Sequence, residues 1–538
     1  MSLEKAIDRS NNALKRTVLR WQSDQKVRAM AEQVALHEKR LAGEKPVIFM
    51  NASTRLSGLS LNAAYSLLAG WSLRLAGTPV AHFTCRSGMS RCVLGTNRDN
   101  PQAAPPCRSC KTQSLAAYYR APVKWFGFQH DVALVQRLQN MALEDLVRFE
   151  FQSIPLGELV LPSLRWVLRR HYLKEDEPTR FLCRQFIQSA WGVTRQMKVL
   201  LKDVDPQAVV VFNGTFFPEA CARWVARQEG IRVISHEVGL RPFTGYFTTG
   251  DATAYPIEIP QSFDLDPAQS ERLDQYLANR FQGNFSMAGI RFWPEMHSLS
   301  QEFWQRAAGY EQIVPVFTNV IFDTSQGHAN VVFEHMFAWL DRVLEIIRSH
   351  PKTFFVIRAH PDECRPGKQS RESVADWVKN NQVTALPNVL FVDSSEYFSS
   401  YELIQKSKFV MVYNSTIGLE ASLLGAPVLC GGKARFTQIP TVFFPTSPDE
   451  YSRQAEEFLS AKQIDVPAEF KRNARRFLYY QLFRSSLPFD DYLKDDGIWP
   501  GYVTLKPFSW QTLLPENSST FQTIVEGIRQ DKPFLLGE

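Results

Sequence analysis

Residues 409–432 read FVMVYNSTIGLEASLLGAPVLCGG. An apolar run, Phe409 to Tyr413, delivers the chain to Asn414-Ser415-Thr416, and helix-forming sequence follows from Thr416 to Leu424. Gly425-Ala426-Pro427 stops that helix, and a second apolar run, Pro427 to Cys430, begins at once. Strand, helix and strand joined this tightly predict a parallel sheet unit.

The same texture extends upstream. Strands are predicted at Ile313 to Phe322, Thr353 to Arg358 and Val389 to Val392, with helices at Val331 to Ser349, Arg371 to Asn380 and Tyr401 to Lys406. Right-handed crossovers would wind these into an open, doubly wound sheet. An earlier set repeats the pattern: strand Lys45 to Met50, helix Leu59 to Leu75 and strand Val80 to Phe83. After a long irregular insert come helices Val132 to Met141, Leu159 to Leu173 and Phe181 to Leu201. Strand Ala208 to Phe212, helix Pro218 to Glu229 and strand Arg232 to Ser235 complete the set. The fold class is therefore α/β, with two Rossmann-like domains facing across a cleft and a junction between about 282 and 311. An aromatic helix, Phe470 to Phe483, and a Pro-rich irregular tail follow.

Composition sets the outer bounds. The chain has 538 residues, 44% hydrophobic and 22% charged, which excludes wholesale disorder, a collagen-like chain and a disulfide miniprotein. A net charge of +6 is too small to announce nucleic acid, and it suits anionic small ligands or a lipid surface. The most apolar stretch, Leu59 to Ala76, is broken by Asn62, Ser66 and Arg74, short of the roughly 20 apolar residues a spanning helix needs. The first residues, MSLEKAIDRSNNALKR, lack a signal-peptide core, so a cytoplasmic protein is expected. Residues 4–43 read as one basic helix. It is expected to pack on the body, the alternative being peripheral contact with the inner membrane face or a partner.

In doubly wound sheets ligands bind beyond the carboxyl ends of the strands. Those positions hold Asn319 and Asp323, Arg358 and His360, Asp393 with Ser394 and Ser395, Asn414-Ser415-Thr416, and Gly431-Gly432. A helix opening on Ser415 and Thr416 suits a phosphate, and Glu420, one turn on, suits the hydroxyls of a ribose. Arg358 offers a planar fork of donors, and His360, set before Pro361, offers a donor to a phosphate or a leaving oxygen.

These motifs carry a resemblance. VPVFTNVIFDTS, FFVIRAHPDE, LPNVLFVDSSE and VYNSTIGLEASLLGAPVLCGG, within residues 313–446, resemble the capsule polysaccharide biosynthesis family. That group includes bacterial Kdo transferases and is similar in outline to polymer-forming glycerophosphotransferases. The resemblance implies a GT-B glycosyltransferase. Its organisation would be a basic helix (1–45), an acceptor domain (46–300, with a Cys-rich insert at 85–110), a nucleotide-sugar domain (311–466) and a tail packed back on the body (467–538). It matches Arg358, His360, Ser415, Thr416 and Glu420 to donor-binding motifs, and the strand-end reading adds Asn319, Ser394, Ser395 and Asn414 to the expected donor site. The first domain should hold the acceptor and the base. Strand ends there present Asn213-Gly214-Thr215 and His236-Glu237, so Asn213 and Thr215 are expected at the acceptor, with Glu237 and then His236 as base. An ordering role for Glu237 in the Gly239 loop is the competing reading.

Cys85, Cys92, Cys107 and Cys110 fall in a segment too rich in Gly, Pro, Arg and Asn to build a core. Four thiolates there would make a closed structural zinc site, with an iron–sulfur cluster, free thiols and disulfides as alternatives. No catalytic metal is required. The expected partners are a nucleotide-sugar donor and a glycan or lipid-linked acceptor, without nucleic acid. Competing functions are a nucleotide-sugar epimerase or glycerophosphotransferase of the same fold, and a non-catalytic zinc-stabilised scaffold.

Overall fold

A computed structural model describes residues 3–52, 58–281, 297–365, 369–396 and 398–537, with side chains from residue 15 onward. Two sheets organise it. Five parallel strands of the first run in the order Val123–Phe126, Val80–Cys85, Val47–Met50, Ala208–Phe212 and Arg232–Val238, third-second-first-fourth-fifth in the chain. The second sheet repeats this order with Val389–Val392, Thr353–Arg358, Gln312–Phe317, Val410–Val412 and Val428–Cys430, all parallel. Both sheets therefore reverse winding direction between their first and fourth strands, and a crevice opens at that switch point.

The strands are apolar on both faces because helices cover both faces. All four residues of Val47–Met50 and all six of Thr353–Arg358 are buried. Helix Leu61–Leu75 starts where the Ser60 side chain accepts the Ala63 N–H, and every residue in it but Asn62 is buried. Its apolar length is thus spent on the core of the first domain, and among the described residues no helix is long and apolar enough to cross a membrane.

Several expected elements shift. The strand expected to reach Phe322 stops at Phe317 because Thr318 turns the chain, its N–H and hydroxyl both donating to the Arg358 carbonyl. Val320, Ile321 and Phe322 are buried as loop residues, and the next long helix begins at Met336 rather than Val331. Strands Val123–Phe126 and Thr244–Thr248 were not expected. The first is an edge strand with only Phe126 buried, and the second pairs antiparallel with Arg232–Val238.

The tail is the largest departure. Helix Ala468–Tyr479 runs into one π-turn, Tyr480–Arg484, after which Leu487–Pro488 adds an antiparallel edge to the first sheet. The stretch expected to be irregular also holds helix Ser519–Gln530, whose Phe521, Ile524, Val525 and Ile528 are buried in the first domain's core. Strand Leu493–Asp495 pairs there with Tyr502–Leu505, which in turn pairs with Leu59–Ser60. The N-terminal helix ends at His37, short of residue 43, and Val27, Ala31 and Val34 bury against that core, so it packs on the body. Ile257, Leu273 and Leu277 pack in the core under the second sheet, together with Leu240 and Tyr246 from the edge of the first. The middle of the expected junction, 282–296, lies outside the described residues.

Three imidazoles are buried in neutral form. Burial lowers His82 and His236 from 6.5 to about 3, and burial with the charge of Arg165 does the same to His171. The native state refuses protons that the unfolded chain accepts below pH 6.5, so stability is whole above that pH and falls below it. Each histidine contributes about 1.4 kcal/mol per pH unit to the decline. Urea midpoints measured from pH 7 to pH 4.5 should fall steadily; a flat profile would contradict these three burials.

Candidate active site

The carboxyl ends of the two sheets face one cavity of about 950 Å³. The second domain lines it with Asn319, Arg358, His360, Asn414, Ser415 and Thr416. Asn319 and Asn414 join across that sheet's switch point, Nδ2 of Asn319 donating to Oδ1 of Asn414 at 2.7 Å. Arg358 is buried at the end of its strand, where one guanidinium nitrogen donates to the Phe398 carbonyl and to the Ser400 hydroxyl. Burial lowers it to about 10, so it stays cationic at neutral pH. The Asp362 N–H donates to His360 Nδ1 at 3.2 Å. With Nδ1 accepting, the proton of the neutral ring sits on Nε2. Burial lowers this histidine, against the pull of Asp362 and Asp323, so the neutral form is the one present.

Helix Ile417–Leu423 is short, and its N-cap Thr416 makes no side-chain capping bond, which leaves that hydroxyl to the cavity. Ser394 and Ser395 do not line the cavity. After Val392 the chain folds on itself, Ser395 donating through N–H and hydroxyl to Asp393, and the wall there is supplied instead by Ser400 and Tyr401. Gly431 and Gly432 serve packing. A Cβ at Gly431 would fall 2.4 Å from the Trp339 ring, and one at Gly432 would fall 3.0 Å from Tyr413.

Glu420 lines the cavity, but its oxygens are committed. Oε1 accepts from Arg280 Nε at 2.9 Å and Nη2 at 2.5 Å, and Oε2 accepts from the Tyr401 hydroxyl at 2.6 Å. Both members of the ion pair are buried. The expected ribose ligand is thus the fastener that holds helix Pro267–Phe281 to the second domain.

On the first domain, Asn213 and Glu237 line the cavity, and Thr215 and His236 do not. Thr215 bonds Thr253 instead, at 3.1 Å. His236 is wholly buried, with Nε2 against the Ser66 hydroxyl at 2.7 Å and its ring stacked on Phe247. It has no route to a substrate. Glu237 Oε1 accepts from Asn213 Nδ2 at 2.6 Å and Oε2 from the Val238 N–H at 3.0 Å, which favours the ordering role. Burial raises its pKa, with these bonds opposing.

Several cavity residues were not anticipated. Asn51 follows the central strand of the first sheet, and the strand-end rule applied to Val47–Met50 finds it. Glu219 opens helix Glu219–Gln228. Arg169 has no sequence signal: it caps helix Leu156–Leu168 in left-handed backbone (φ 60°) and lies between the Trp166 and Phe322 rings. Arg98 comes from the Cys-rich insert, which also touches the second domain through Asp99 and Arg371.

The four insert cysteines border a separate cavity of about 30 Å³, and no disulfide joins them. Cys85 Sγ accepts the Gly88 N–H and Cys92 Sγ the Gly95 N–H, each at 3.2 Å, and burial pushes both thiols up to about 12. Among the described residues no three Cys, His, Asp or Glu side chains form a group that could hold a metal ion, so the expected zinc site finds no support in this geometry.

Removing one partner of a buried ion pair strands the other charge, at a cost of about 3–5 kcal/mol. Glu420→Ala should therefore lower the unfolding free energy by that amount, and Glu420→Ala with Arg280→Met should recover part of it. Denaturant titration of the two variants checks this; a neutral single variant would mean the pair is not closed in solution.

Comparison with known proteins places this wall of the cleft. Residues 298–441, roughly a quarter of the chain, match the family described as "Capsule polysaccharide biosynthesis protein". No curated protein sequence matches the chain. Among solved structures it is similar to the beta Kdo 2,4 transferase of Thermosulfurimonas dismutans KpsC, at 12% identity over 52% of this chain and 80% of that one, with a TM-score of 0.35. The beta Kdo 2,7 transferase of the same protein is similar at 13% identity over 63% and 90%, TM-score 0.32. A UDP-GlcNAc 2-epimerase from Neisseria meningitidis is similar at 12% over 82% and 99%, TM-score 0.23. At these identities and TM-scores the likenesses add nothing to the chemistry read from the side chains. The second domain therefore matches the capsule polysaccharide biosynthesis family, as its strand-end motifs implied, and the first domain stands outside that match.

Proposed function

We propose that the chain is a GT-B-type glycosyltransferase that moves a sugar from a nucleotide-activated donor to a growing bacterial surface glycan of the capsule type. The observation that carries this reading is the pairing, in one cavity, of a cationic arginine and an Nε2–H imidazole at the carboxyl end of one strand, Thr353–Arg358, of the family-matched domain. The donor's phosphate would lie against Arg358, His360, Ser415 and Thr416, with Asn319 and Asn414 beside it. His360 Nε2–H would donate to the oxygen on which charge develops as the nucleotide leaves, and Arg358 would add its field in a site shielded from water. The acceptor would enter from the first domain, past Asn213. The side chains already supply the neutralising charge, so the scheme routes no step through a metal.

A donor at 100 times its dissociation constant should add about 2.7 kcal/mol of stability. Thermal-shift measurements with CMP-, UDP-, GDP- and TDP-sugars should single out one nucleotide. His360→Ala should reduce that shift and lower kcat by about 10²-fold or more. No shift with any nucleotide sugar, or full turnover without His360, would overturn the reading.

A further inference from the structure

We infer that Glu219, rather than Glu237, is the group that takes the acceptor's proton. The inference rests on the glycosyltransferase reading and deepens it. Glu219 occupies the switch point of the first sheet, as Asn319 and Asn414 occupy that of the second. It opens the helix that follows Ala208–Phe212, and its Oε1 reaches across to accept the Ala52 N–H, two residues past the end of Val47–Met50, at 3.0 Å. Its side chain lines the same cavity as Arg358 and His360.

The surroundings suit a base. The donors that hold the carboxyl are main-chain N–H groups, of Ala52 and of Glu219 itself, and among the described residues no basic side chain pairs with it. Burial without a counter-charge lifts it from 4.5 to about 7, where a general base works best at neutral pH. The titratable groups that face it are Tyr118, near the end of helix Cys107–Ala117, and Cys221, on its own helix. Burial pushes both upward, Cys221 to about 12, so both are neutral while Glu219 titrates. Glu237, although also raised by burial, differs in its partners: a side-chain amide and a main-chain N–H each hold one oxygen, and Arg435 acts on it with an opposing charge.

In the step this implies, Glu219 accepts the proton of the acceptor hydroxyl as its oxygen bonds to the anomeric carbon. The bond from that carbon to the phosphate oxygen breaks, and its electron pair leaves on the nucleotide beside His360 and Arg358. Base and leaving group then stand on opposite walls, as displacement with inversion requires.

The test uses the full chain with the donor found by thermal shift. For the unmodified enzyme kcat/KM should rise with pH through a limb near pH 7. Glu219→Gln keeps an oxygen for the Ala52 N–H, so it should melt normally and keep the donor-induced shift. It should lose about 10²–10⁴-fold in kcat and lose the limb. Formate should restore part of the turnover of Glu219→Ala, a result that a merely structural glutamate would not give. Glu237→Gln should retain the limb. If Glu219→Gln keeps the limb and the rate, or Glu237→Gln abolishes the limb instead, the inference is overturned while the transferase reading stands. If the unmodified enzyme transfers no sugar, the transferase reading itself fails.

Discussion

In a parallel sheet every strand ends on the same side, so the residues that follow the strands collect along one edge whatever their separation in the chain. That constraint governs this molecule twice. Asn51, Asn213 and Glu237 come together from three strand ends of the first sheet, and Asn319, Arg358 and Asn414 from three of the second. The cavity exists because the two edges face each other. Their approach is set by contacts at its flank, where Glu372 accepts the N–H groups of His171 and Tyr172 and Arg371 N–H donates to the Arg169 carbonyl.

Polar side chains at such an edge face two demands, to bind a ligand and to satisfy each other in a dry interior, and burial decides between them. Glu420 sits one turn into a helix beside the cavity, yet a buried arginine leaves its oxygens no freedom. Leaving either charge alone there would cost several kcal/mol, so the pair closes. Glu219 meets the other outcome. With main-chain donors in place of a cation, its charge is suppressed rather than neutralised, and a carboxyl that titrates near neutrality is left beside the cleft.

The second domain was legible because its strands are apolar on both faces, so most strand ends, and with them Arg358, His360 and Ser415, could be located to within a residue or two, the exception being the first strand, which stops at Phe317 rather than Phe322. Four of the first sheet's parallel strands, Val47–Met50, Val80–Cys85, Ala208–Phe212 and Arg232–Val238, were readable in the same way. What escaped depends on partners remote in the chain. Val123–Phe126 and Leu487–Pro488 are strands only because a sheet edge waits for them, and neither has an apolar period of its own. The apolar residues of 519–530 read as tail until the first domain's open face is known to need them. The identity of Glu420's partner could not be read at all, since Arg280 lies 140 residues away.

The distribution of charge across the cleft follows from the same division. The wall of the second domain carries Arg358, Arg365, Lys433 and Arg435 together with Asp323, Asp362 and Glu420, while the opposite wall carries Glu219 and Glu237, both raised by burial. Arg98 and Arg169 add positive charge from the first domain's side, and each is lowered by burial and by a neighbouring arginine. An empty cleft so arranged has more positive charge than its carboxyls balance, and anionic groups of a ligand are the natural complement. Displacement of a phosphate needs this asymmetry: fixed positive charge where the leaving oxygen gathers electrons, and a nearly neutral carboxyl where a proton departs.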